Sequence, residues 1–249
     1  MVPKVKIVLG KLKDYFDFLE YLILDDNFFI NRIIFEYPEI ENILKNSKNK
    51  KKDLKLFFKN IEKEKKDELI EAVNKTKEIW DNLNDDFMKA FEEIHEIKWN
   101  KKDEKIIGII TLNPICPIDI KHKSFDLFYR FNEKEIIDVF LHEISHFIFF
   151  KKFKEIYSKV NDHEFESPHL IWKISEIMPG IILQDERIQK IYENKKLSVY
   201  DNIKKIRINN RLILDILQDF YDNKESFKDF VIKSYDFIKN NQKEFEKQF

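Results

Sequence analysis

The sequence is poor in residues that cross-link or punctuate a chain. Cys116 is the one cysteine among 249 residues, so no internal disulfide can form. A lone thiol fits a reducing compartment. The opening stretch, MVPKVKIVLGKLKDYF, also lacks the long apolar segment and small-residue cleavage site of a secretion signal. A cytoplasmic location is therefore expected. Glycine occurs three times, and alanine only at positions 72 and 90. No Gly-rich phosphate loop, Gly-x-Ser-x-Gly elbow or internal repeat is present. Long apolar runs are missing too: stretches such as 28–30 and 147–150 suit a core and fall far short of the ~20 residues of a membrane span. Charge of one sign is absent, with Lys+Arg 45 against Asp+Glu 46. No global field recruits nucleic acid or an anionic membrane, and neither is expected as a partner.

What the chain has is charge and apolar bulk, 37% and 43% of its residues, enough for a full core in one or two domains. Residues 4–9, KVKIVL, alternate polar and apolar as a short strand does. Helical spacing follows from 11 to 37, broken near Asp25-Asp26-Asn27, and Pro38 opens another short helix. The basic stretch 45–55, KNSKNKKKDLK, reads as a solvated loop, because it lacks interleaved aromatics. Residues 53–99 read as one or two long amphipathic helices, with His95 near their end expected at the surface. Strands are expected at 106–114 and 124–131. Beyond a polar linker at 154–166, Ser167-Pro168 predicts a helix N-terminus, and the helix runs to Met178 before Pro179-Gly180. Helical spacing resumes over 181–193, and two amphipathic helices, about 199–221 and 225–247, close the chain.

The chemistry is concentrated in 132–153, NEKEIIDVFLHEISHFIFFKKF. Asn132 and Glu135 are placed as a capping-box pair, and the residues after them are apolar on nearly every side, as in a helix buried in the interior. Within it His142-Glu143-Ile144-Ser145-His146 forms H-E-x-x-H. Helical geometry turns residues i and i+4 to one face, so His142 and His146 can share one metal ion, with Glu143 beside them as a base for a metal-activated water. The plainer alternative is two hydrogen-bonded core histidines and a solvated glutamate.

Two histidines do not complete a catalytic zinc site, which normally takes three protein ligands. The metzincin continuation is absent, since Phe149 and Lys152 stand where its glycine and third histidine belong. Here the sequence resembles the gluzincins, the thermolysin-like branch of the zincin metallopeptidases, over little more than 106–190. The resemblance implies that the third ligand is a glutamate on a separate downstream helix, which Glu176 in WKISEIMPG matches. His163, Glu164, Glu166 and His169 are its rivals, and His169, seven residues before Glu176, falls on the same predicted helical face. Gluzincins place a ligand-orienting aspartate four residues after the glutamate. This chain has Gly180 there, leaving Asp185 or His169 as substitutes for that second contact.

The resemblance implies an α+β, predominantly helical fold, with a zincin-like core in which a small sheet packs on the H-E-x-x-H helix. The expected organisation is a mainly helical region at 1–104, a metal-binding core at 105–195 and C-terminal helices at 196–249, in one compact unit. It further implies one catalytic Zn²⁺ held by His142, His146 and Glu176, with Glu143 as general base in peptide-bond hydrolysis on a peptide or protein substrate. Tyr157, His163, His169 and Arg187 are the candidates for steadying the oxyanion, and the strand at 124–131 is expected to line the cleft as an edge that pairs with an extended peptide. Two other readings stay open: a catalytically inactive zincin fold that binds metal or peptide, and a regulatory zincin that cuts one partner protein.

Overall fold

The computed structural model describes residues 2–26, 28–100, 105–193 and 199–249. The chain is α+β and mostly helical. It forms two compact units that interleave along the sequence. A sheet unit takes Lys4–Asn82 and Lys105–Val139, and a helical unit takes Met1–Pro3, Leu83–Glu104 and Phe140–Phe249.

In the sheet unit, β1 (Val5–Leu9), β2 (Ile106–Thr111) and β4 (Ser124–Phe128) run parallel, and the short β3 (Ile118–Asp119) lies antiparallel to β4. The order is β1-β2-β4-β3. Both strands expected ahead of the metal motif form, but the second stops at Phe128 and is not an edge. Its outer side is already paired, through the Ile118↔Phe125 and Asp119↔Ser124 pairs and an Asp126 N–H donated to the Pro117 carbonyl at 3.0 Å. An extended peptide would find those backbone groups taken. Gly108 sits in the middle of β2, where a Cβ would come within 3.0 Å of the Ile7 side chain and 3.1 Å of Leu127.

Between β1 and β2 the chain forms α1 (Leu12–Leu24), α2 (Ile30–Glu36), α3 (Glu39–Asn46), α4 (Lys50–Glu64) and α5 (Lys66–His95), the last of which continues into the helical unit. The predicted break after α1 is present, although Asn27 lies outside the described residues. The basic stretch is not all loop. The Asn49 side chain accepts the Lys52 N–H at 3.2 Å and caps α4, which buries Leu54 and Phe58. Phe58 meets Phe16 and Tyr37 with ring centroids 6.4 and 5.2 Å apart. Just past β2, the Leu112 carbonyl accepts the Tyr37 hydroxyl at 2.7 Å and its N–H donates to the Tyr15 hydroxyl at 3.3 Å. Two buried phenols thus satisfy a backbone that the ladder no longer pairs.

The helical unit is threaded by α6 (Glu133–Ile156), which starts in the sheet unit with the predicted capping box. Glu135 N–H donates to Asn132 Oδ1 at 3.0 Å, and Asn132 N–H to Glu135 Oε2 at 2.9 Å. A 3-10 turn (Asp162–Phe165) leads to α7 (Leu170–Ile177) and α8 (Pro179–Ile182), followed by α9 (Glu186–Gln189). The Ser167 cap does not form. His169 N–H closes a turn onto the Glu166 carbonyl at 3.0 Å, so α7 starts only at Leu170, with His169 as its N-cap. The helix expected over 199–221 is also divided. A 3-10 turn (Ile203–Lys205) precedes a hairpin of β5 (Arg207–Ile208) and β6 (Arg211–Leu212), and only then does α10 (Ile213–Asp222) begin. Asn209 and Asn210, at φ 52 and 65, supply the left-handed turn. Two helices, α11 (Phe227–Asn240) and α12 (Gln242–Glu246), close the chain.

His95 is not at the surface: its ring is 0% exposed, with its Nδ1 2.9 Å from the Phe91 carbonyl and its centroid 4.4 Å from that of Phe227. Burial pushes its pKa down to about 3, so the ring is neutral. The start of α11 covers the end of α5. Glu96, held at φ 52, takes the Phe227 N–H on its carboxylate at 3.0 Å and the Lys152 ammonium on its carbonyl at 3.2 Å.

One carboxyl in the sheet is buried with little compensation. Asp126 pairs opposite Ile109 and has the Thr111 hydroxyl 3.4 Å away. Desolvation pushes its pKa up to about 7, against an ordinary 3.8. The unfolded chain therefore ionises this group before the folded one does. Stability should fall as pH rises from about 4 to about 7 and then level off. Urea unfolding at pH 5 and pH 7.5 checks this: Asp126→Asn should remove that part of the slope, and an identical slope in the variant would refute the assignment.

Candidate metal centre

The central part of α6 buries Phe140, Leu141, Ile144, Phe147, Ile148, Phe149 and Phe150, so polar side chains there must find partners within the protein. His142 and His146, one turn apart, bring their ring centroids within 4.7 Å at an interplanar angle of 78°. The third member comes from α7, which buries Ile171, Ile174, Ser175, Glu176 and Ile177. Glu176 Oε2 lies 3.4 Å from His142 Nε2, and Oε1 lies 3.7 Å from His146 Nε2. One donor atom from each of the three residues falls within 4.8 Å of the others. No other such group of three exists among the described residues. Burial is deep, at 2% exposure for His146, 4% for Glu176 and 6% for Glu143.

The electrostatics suit a cation. Burial pushes the His146 pKa down to about 4, against the pull of Glu176, so its lone pair is available at neutral pH. Burial alone would raise the Glu176 pKa, but the two imidazoles outweigh it and hold the carboxyl below its ordinary value. Even so, Glu176 Oε2 is buried without a hydrogen bond. Ligands about 2.0–2.2 Å from a tetrahedral zinc stand about 3.3–3.6 Å from one another. The separations here, 3.4 Å to one Glu176 oxygen and 3.7 Å to the other, are close to that spacing, within a cluster whose donors all lie within 4.8 Å of one another. A two-imidazole, one-carboxylate set is also a donor chemistry that zinc accepts. The residues fit the ion.

The rivals for the third position lie elsewhere. His163, Glu166 and His169 are exposed, and the Glu164 carboxylate accepts the Asn161 N–H at 3.2 Å in a capping box. As the N-cap of α7, His169 does not share the helical face of Glu176. Asp185 does not serve as an orienting contact. Its carboxylate is gripped by Arg187 through two side-chain bonds of 2.7 Å, and it accepts the Tyr221 hydroxyl at 2.5 Å. Burial opposes its ionisation, but these bonds prevail and hold its pKa at about 2. Position 180 is crowded as well: a Cβ there would come within 2.9 Å of the Val199 side chain and 3.1 Å of Leu214, which would have to shift. His146 Nδ1 is buried without a hydrogen bond. Among the oxyanion candidates, Arg187 is committed to Asp185, and Tyr157 packs against Phe153 and Tyr235 with centroids 4.7 and 5.2 Å away.

Residues 76–183 match the SprT-like family, which is of the zincin-like metallopeptidase type. The matched segment contains H-E-x-x-H and Glu176. No curated protein and no solved structure matches the chain. The zincin-type part of the expectation thus has independent support, whereas the match does not identify the gluzincin branch.

Elemental analysis of zinc-loaded protein should find about one ion per chain at this centre. His146→Ala and Glu176→Ala should each lose it. Zinc at a hundred times its dissociation constant should stabilise the wild type by about 2.7 kcal/mol in urea unfolding, and neither variant by a comparable amount. Undiminished zinc binding in Glu176→Ala would remove that residue from the site.

Proposed function

We propose that this chain is a zinc-dependent metallopeptidase that hydrolyses peptide bonds, with His142, His146 and Glu176 as metal ligands and Glu143 as general base. The observation that carries the reading is the convergence of two imidazoles from one buried helix and a carboxylate from another, within 4.8 Å. The SprT-like match over 76–183 supports it independently.

When bound, zinc supplies Lewis acidity, polarising a carbonyl and making a water easier to deprotonate. The chain's own residues do the rest. Glu143 follows His142 directly in α6, and its burial keeps the carboxylate in low-dielectric surroundings where proton transfer is favoured. It takes the proton from water as the oxygen adds to the carbonyl carbon, then delivers it to the nitrogen as the C–N bond breaks. Water is thus divided between the new carboxyl group and the new amine. Holding the ligands on regular helices fixes their geometry better than loops would.

A second reading, an inactive zincin that binds metal or peptide, is favoured by one observation: His146 Nδ1 has no hydrogen-bonding partner. Ligand histidines in working zinc sites usually donate from that second nitrogen, and losing the contact typically weakens affinity or activity by about 10–100-fold.

Incubating the zinc-loaded protein with a mixed peptide library, followed by mass spectrometry of the fragments, separates the two readings. Cleavage should occur in the wild type and fall by roughly 10²-fold or more in Glu143→Gln, which should still bind zinc. Cleavage by the wild type undiminished in Glu143→Gln would dismiss that residue as the base, and no cleavage of any library member would favour the inactive reading.

A further inference from the structure

Outside the metal cluster the helical unit carries another pair of imidazoles. His163 lies in the 3-10 turn Asp162–Phe165, and His169 is the N-cap of α7. Their ring centroids are 5.2 Å apart at an interplanar angle of 77°. The pair His142 and His146 shows 4.7 Å and 78°. Two exposed rings therefore share a centroid separation and interplanar angle close to those of the two that face Glu176.

The backbone between the two histidines is held in a turn. His163 accepts the Glu166 N–H on its carbonyl at 3.2 Å, and the Glu166 carbonyl accepts the His169 N–H at 3.0 Å. On one side, Asn161 and Glu164 cap the turn reciprocally, and Lys154 pairs with Asp162. Beneath it, buried Phe165 stacks on Phe150 with centroids 4.6 Å apart and meets Phe153 at 6.4 Å. Two donors held near one another make the second metal bond intramolecular, which raises affinity over that of a single imidazole without any new contact. Imidazole suits the late divalent metals.

We propose that His163 and His169 chelate a second zinc ion, in an exposed site where water completes the coordination. With two protein donors instead of three, it binds more weakly than the buried cluster. Occupancy would clip the 3-10 turn to the start of α7, the helix whose far end carries Glu176. The proposal does not rest on peptidase activity.

The test uses the full chain carrying His146→Ala, which takes a donor from the buried cluster, with zinc alone as the probe in equilibrium dialysis. That protein should keep a zinc equivalent that either His163→Ala or His169→Ala, added singly, abolishes. Both rings are exposed, so neither change should disturb folding, and an unchanged far-ultraviolet circular dichroism spectrum checks that. Zinc uptake unaffected by either substitution, or lost on only one of them, would overturn the chelate. Its failure would leave the assignment of His142, His146 and Glu176 untouched, because that cluster is read out by the one equivalent that His146→Ala and Glu176→Ala each lose relative to the wild type.

Discussion

Desolvation of His146 and Glu176, with half-buried His142 beside them, is the constraint on which the arrangement of the helical unit depends. An apolar helix such as α6 would lie more cheaply in the interior without them, since a buried polar group without a partner costs about 1–3 kcal/mol. The three side chains limit that cost by facing one another. Imidazoles hold the carboxylate ionised despite its burial, and burial holds His146 neutral despite the carboxylate. The balance is incomplete, because Glu176 Oε2 and His146 Nδ1 have no hydrogen bond. A divalent cation between the three donors would satisfy the oxygen. His95 is satisfied only in part: its Nδ1 meets the Phe91 carbonyl and its ring tilts at 49° against Phe227, while its Nε2 is buried without a hydrogen bond.

How legible this was depended on how local the signal is. The capping box at Asn132 and Glu135, the buried character of α6 and the facing of His142 and His146 follow from helical geometry within a few residues. Glu176 needed the resemblance, because no local rule joins α6 to α7. Where the sequence misled, a tertiary or turn contact had overridden the periodicity. Ile203, Ile206 and Leu212 sit at helical spacing, yet the Asn209-Asn210 pair turns the backbone left-handed and makes a hairpin of the middle of that run. Lysines at 50–52 suggested a loop, but Leu54 and Phe58 supply the buried stripe that makes their segment a helix. His95 looked exposed because the residue that covers it, Phe227, is distant in sequence. The interleaving of the two compact units is likewise a matter of long-range packing that hydrophobic period does not encode.

The missing orienting carboxylate has a physical history in the packing. At position 180 a Cβ would crowd the Val199 and Leu214 side chains, so any residue but glycine requires them to shift. Asp185, the nearest substitute in sequence, instead caps α9 and joins Arg187 to Tyr221 of α10. That three-way contact is partly buried and charge-assisted, so diverting the carboxylate towards His142 or His146 would strand a guanidinium and a phenol.

What orients His146 in its place is an aromatic stack. Its ring lies nearly parallel to that of Phe150, at 15° and 6.0 Å, and Phe150 lies on Phe165 at 23° and 4.6 Å. Packing of this kind fixes the plane of an imidazole, since rotating it would collide with close-packed neighbours. It cannot do the second job of a carboxylate, which is to make the ring a better electron donor. The two contributions are usually bound together in one hydrogen bond, and here the fold separates them. Position is secured by Phe150 and Phe165, while no hydrogen bond at Nδ1 adds to the ring's donor strength. The same Phe165 anchors the turn that carries His163. One ring of the core therefore supports both the buried imidazole and the exposed pair.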